Sequence, residues 1–104
     1  MKHISIKELI KDIEVIKFVG NRSHIVSKLI SLNDLMLSNG NCPNALCWVG
    51  DDYVDRLKNL KLKIGLLIIS EKVVTKIKGS DCNLLIVSNP RMIFQKILSQ
   101  HYKE

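Results

Sequence analysis

The sequence predicts an α/β fold, a small mixed sheet flanked by helices. Residues 63–69 and 82–87 are near-continuous apolar runs, the pattern of strands covered on both faces. Asn89 and Pro90 then open the clearest helix of the chain, with a capping side chain followed by proline at the first helical position. Strand and helix patterns alternate through the second half. At 104 residues and 46% apolar composition, the chain has the size of one domain with a modest core, so residues 1–104 are expected to form a single α/β domain.

The elements follow in order. Ser5 and Glu8 make a capping box, Ser5 accepting from the Glu8 N–H, and Ile4 and Leu9 can form the accompanying hydrophobic staple. Ile6, Leu9, Ile10 and Ile13 recur at helical spacing, which predicts a short amphipathic helix ending near Asp12 or Ile13. Residues 14–20 carry Val15, Ile16, Phe18 and Val19 and close on Gly20-Asn21, a strand and its turn. Residues 24–32 favour strand again, and Asn33-Asp34 can cap a short helical turn through Leu35, Met36 and Leu37. Residues 38–44, SNGNCPN, hold turn formers and a proline that excludes helix, so they read as a loop.

A strand over 45–49, a break at Gly50 and a helix over 52–60 come next, with Asp51 and Asp52 suited to the positive end of that helix. The run at 63–69 is the central strand. Residues 71–77 fit either a strand or a short helix. After the strand at 82–87, Ile93, Phe94, Ile97, Leu98 and Tyr102 line one face of the last helix, while Arg91, Gln95, Lys96 and Gln100 take the other. Parallel strands joined this way require right-handed crossovers. The sequence contains no internal repeat and no low-complexity tract.

Composition bounds the function. The net charge is +6, but the lysines are spread through every segment and no aromatic RNA-binding signature occurs, so nucleic acid is not the expected partner. Scattered cations can equally hold a small anion such as a diphosphate. No run reaches the roughly 18 apolar residues of a membrane-spanning helix. Charge near Met1 sits where a secretory signal has its apolar stretch, so a cytoplasmic location is expected. Cys42, Cys47 and Cys82 form no C-x-x-C pair, which argues against a disulfide framework and a zinc site; Cys47 and Cys82 read as small core residues. His3, His24 and His101 have no ligand companions at metal-binding spacing and read as surface or half-buried side chains.

The chain shows no acid–base pair, no glycine-rich phosphate loop and no nucleophile with a helper, so no catalytic residue, metal or cofactor is expected within it. Trp48, the single tryptophan, closes a strand before Gly50, at the strand end where open α/β folds bind ligands. It can offer a flat face to a base, or simply pack into the core. Tyr53 has the same two roles open, with Leu57 and Leu60 at helical spacing as its packing partners.

Several segments together resemble the N-terminal domain of the UDP-3-O-(3-hydroxyacyl)glucosamine N-acyltransferase family of lipid A synthesis, over nearly the whole chain. Residues 4–10 look like that family's first helix, 30–34 (ISLND) like its "ASLEEA" segment, 46–48 (LCW) like "LSF", and 63–70 like the "AGAVIVS" strand. Most specific is 84–94, LLIVSNPRMIF, against "LLVVDNPYLAF". The resemblance implies recognition of the uridine end of a UDP-sugar and a fold similar to the UDP-binding domains of muramyl-peptide ligases. It also implies that Trp48, Asp51 and Tyr53 contact uracil. Asp51 stands where the family has asparagine, and Tyr53 comes one residue early. The family's trimeric catalytic β-helix has no counterpart in these residues, so a monomer or weak oligomer is expected. The alternative expectation is an interaction or structural module that has lost nucleotide binding.

Overall fold

The computed structural model describes residues 3–57, 60–77 and 82–102. They form a five-stranded mixed sheet with helices on both faces and a separate two-stranded ribbon. Four strands are parallel: β4 (Lys28–Leu29), β5 (Asn41–Trp48), β6 (Lys63–Ser70) and β7 (Leu84–Val87). Strand β2 (Lys17–Val19) adds antiparallel to β7, giving the spatial order β2-β7-β6-β5-β4. Strands β1 (Ile4–Ser5) and β3 (Ile25–Val26) pair antiparallel in the ribbon.

Spatial order equals chain order across the four parallel strands. Right-handed crossovers advancing in one direction must all lie on one face. That face carries helix α2 (Leu32–Leu37) and the two 3-10 helices, Asp51–Arg56 and Val74–Lys76, packed through Leu35, Val54 and Val73. The opposite face is covered by α1 (Ile6–Leu9) and α3 (Pro90–His101) through Ile6, Leu9, Ile93 and Ile97. Strand β7 shows why an apolar run was needed: Leu84 and Ile86 point into one core, Leu85 and Val87 into the other. Both layers exclude water from β6, whose residues from Ile64 to Ser70 are all buried.

Local capping agrees with the sequence at both chain ends. Ser5 Oγ accepts from the Glu8 N–H at 3.3 Å, and Asn89 Oδ1 accepts from the Met92 N–H at 3.2 Å ahead of Pro90. Helix α1 is shorter than its spacing predicts. Ile10 and Ile13 are buried as expected, but on a turn that follows the helix.

Helix α2 is capped by Ser31 rather than by Asn33 or Asp34, the Ser31 hydroxyl accepting from the Asp34 N–H at 3.1 Å. It closes as a Schellman motif: Gly40 N–H donates to Leu35 O and Asn39 N–H to Met36 O, with Asn39 at φ +56°. Asparagine is the non-glycine residue best suited to that left-handed position.

Three segments differ from expectation more substantially. The β-favourable stretch 24–32 divides at Ser27, so that Ile25–Val26 pairs in the ribbon and Lys28–Leu29 in the main sheet. The expected loop at 38–44 is half strand, because β5 begins at Asn41 and contains Pro43. Proline is tolerated there because the register slips between Cys42 and Leu46. The bulge spares the sheet a missing donor. The expected helix at 52–60 is a 3-10 helix, Asp51–Arg56, with i to i+3 bonds from Tyr53 N to Gly50 O and from Leu57 N to Val54 O. Gly50 supplies no capping side chain, and three aspartates and a valine are weak α formers. Residues 58 and 59 of that expected helix lie outside the described residues. Among the described residues no helix is long and apolar enough to cross a membrane.

Candidate functional site

Two clefts open at opposite ends of the parallel strands. The larger, about 470 Å³, lies at their amino ends beside Pro43, Lys63 and Asn83. Several of its polar groups are already engaged by the protein itself. Asn83 Oδ1 accepts from the Asn21 N–H at 2.7 Å, while Asn83 Nδ2 donates to Gly65 O at 2.8 Å. His24 Nε2 meets Pro43 O at 2.6 Å, and the carbonyl of Asn44 accepts from Ser27 N–H. These bonds tie the neighbouring ends of β2, β3, β5, β6 and β7 together. Hydrogen-bonding groups already satisfied by their neighbours offer a ligand little.

The smaller cleft, about 280 Å³, lies at the carboxyl ends of β4 and β5, the position that open α/β sheets use for ligands. Strand β5 brings Trp48 to its own last residue; α2 contributes Leu32, Asn33 and Met36; and the 3-10 helix contributes Tyr53 and Arg56. The floor is therefore apolar and aromatic, with an amide, a phenol and one guanidinium at its margins. That combination, at the lower limit of small-molecule clefts, suits one ring system whose remaining substituents extend outward.

Trp48 belongs to both readings made of it. Its ring packs on Phe94 of α3, with centroids 6.2 Å apart and planes inclined at 36°, yet it also lines the cleft. Tyr53 is half exposed, at 48%. The two rings flank Gly50: a Cβ placed there would lie 3.6 Å from Tyr53 Cδ2 and 3.8 Å from Trp48 Cζ3. Asp51 stands outside this arrangement. It is exposed at the start of the 3-10 helix and does not line the cleft.

Arg56 lies with its guanidinium carbon 5.0 Å from the Tyr53 ring centroid and is the charged residue of the cleft lining. Neighbouring Asp55 is engaged by Lys76 at 3.3 Å, an exposed pair worth little to stability. Beneath the cleft, Cys47 is buried and its thiol is pushed up to about 12, first by burial and then by Cys42 and Asp34. Such a thiol stays protonated and unreactive. Among the described residues no cluster of histidine, cysteine and carboxylate side chains is placed to hold a metal ion.

Trp48 and Tyr53 are thus brought together, whereas Asn33, Met36 and Arg56 were not anticipated. For Arg56 a signal existed: it follows Tyr53 by three residues, the spacing at which helical side chains meet. Asn33 and Met36 carried none, since they reach Trp48 only through the crossover between β4 and β5. No protein-family model matches the chain, and no curated protein matches it significantly.

Proposed function

We propose that this domain recognises the uridine end of a UDP-sugar, and that it serves as the recognition part of a UDP-sugar N-acyltransferase of the lipid A type. One observation carries the assignment: Trp48 and Tyr53, two aromatic side chains from different elements, flank a single cleft at the carboxyl end of β5 with a guanidinium at its margin. A pyrimidine against the indole gains stacking of about 1–3 kcal/mol. The sugar and phosphates, too large for the cleft, project past Arg56 towards solvent. The resemblance of the segment order to that of the acyltransferase family supports uridine as the base. The chain's contribution is binding and orientation of the nucleotide.

The test is a titration with UDP-N-acetylglucosamine, uridine and ADP, followed by tryptophan fluorescence and amide shifts. Saturable, uracil-dependent changes centred on Trp48 and Tyr53 are expected. Because Trp48 also supports Phe94, Trp48→Leu is a cleaner variant than Trp48→Ala: it keeps apolar packing and removes the stacking face. Absence of any response at millimolar ligand would refute nucleotide recognition and leave a protein-interaction module.

A further inference from the structure

We infer that Arg56 is the residue that makes this cleft select a phosphorylated ligand, and that Tyr53 serves chiefly as its support. The inference rests on the uridine assignment above and adds to it the group that discriminates a nucleotide from a nucleoside. The helix type matters here. A 3-10 helix has three residues per turn, so side chains at i and i+3 eclipse. Tyr53 and Arg56 are three apart within Asp51–Arg56. An α-helix would offset them by about 60° over that interval; the 3-10 helix sets the guanidinium over the ring, 5.0 Å from its centroid.

Stacking fixes a long side chain that otherwise sweeps through solvent. It also leaves the N–H donors usable. The tyrosine ring meets the guanidinium from one side, and a guanidinium carries five N–H donors, more than that one contact can occupy. Among the described residues no carboxylate lies within ion-pair distance of Arg56, and Asp55 beside it is turned to Lys76. A guanidinium fork held at the mouth of an aromatic cleft, with no described carboxylate on it, is matched to the bidentate oxygens of a phosphate. With one Tyr53 face given to Arg56, the base is left with the Trp48 side of the cleft.

The experiment measures dissociation constants of uridine and UMP by amide-shift titration for the wild type, Arg56→Gln, Arg56→Lys and Tyr53→Leu, with thermal melts as a folding control. The wild type should prefer UMP over uridine by roughly ten- to a hundredfold, the effect of charge-assisted hydrogen bonds. That ratio should collapse towards unity in Arg56→Gln. It should fall partway in Arg56→Lys, which keeps the charge without the fork, and in Tyr53→Leu, which keeps the fork without its support. An unchanged ratio in Arg56→Gln overturns this inference while leaving uridine recognition standing. Failure of both uridine and UMP to bind the wild type overturns the two together.

Discussion

One methyl group added at Gly65 and one added at Gly50 should have opposite effects on stability, although the chemical change is the same. At Gly65 a Cβ would stand 2.8 Å from Ala45 O, 2.9 Å from Pro43 O and 3.0 Å from Ala45 N. All three are backbone atoms of the β5 bulge, and they cannot retreat singly. Pro43 O is held by His24, and Gly65 O by Asn83. Restoring ordinary contact requires a concerted backbone shift of about half an ångström, and such overpacking costs about 1–3 kcal/mol. With both sides backbone, the upper end applies. At about 4–8 °C per kcal/mol for a domain near this size, Gly65→Ala should lower the melting temperature by roughly 12–24 °C.

At Gly50 the backbone is extended, φ −76° and ψ 157°, and the new methyl meets Tyr53 and Trp48 at ordinary contact distances. Alanine there restricts the unfolded chain and should stabilise by about 0.4–1 kcal/mol, raising the melt by about 2–8 °C. The same methyl enters the space between the two rings, so UMP affinity should fall. Thermal and urea unfolding by circular dichroism, with UMP titration of Gly50→Ala, measure all three quantities. A Gly65→Ala protein melting within about 3 °C of the wild type would refute the packing argument at the bulge. A Gly50→Ala protein of unchanged UMP affinity would place the ligand elsewhere.

Other outcomes follow from the same contacts. Cys47 has a folded-state pKa pushed above its ordinary value of 9.0 to about 12. The neutral thiol's contribution is therefore whole below pH 9 and lost as pH rises through 12, at about 1.4 kcal/mol per pH unit in that window. Urea unfolding between pH 8 and 11 should decline less steeply in Cys47→Ala; equal slopes would dismiss the burial account. Asn83→Ala removes two hydrogen bonds across the sheet end and should cost about 2 kcal/mol, read as a shift in urea midpoint without a change in slope. Among the described residues the buried Tyr102 hydroxyl has no hydrogen-bond partner, and burial raises its pKa. Tyr102→Phe should hence stabilise the domain by up to about 1 kcal/mol, and a lower melting temperature would reveal a bond that the hydroxyl makes.

Much of the architecture follows from signals within a few residues. The Ser5 and Asn89 caps, Pro90, the turn residues Asn39 and Gly40, and the apolar runs of β6 and β7 act locally, because a cap reaches three positions and burial on two faces needs only an uninterrupted apolar stretch. The placement of Trp48 at the end of a strand, with Tyr53 close behind, was readable in the same way. The division of residues 24–32 between two sheets was not, since each half is equally β-favourable and its partner is chosen by pairing with Ile4–Ser5 or with β5. Nor was the bulge that admits Pro43. It is held by His24, 19 positions away, and its neighbour Gly65 by Asn83, which also clasps Asn21 across 62 positions. Asn33 and Arg56 joined the cleft for related reasons: one arrives through a crossover, the other because an uncapped segment wound as a 3-10 helix. Local chemistry determined which elements form, and long-range backbone pairing decided which side chains those elements bring together.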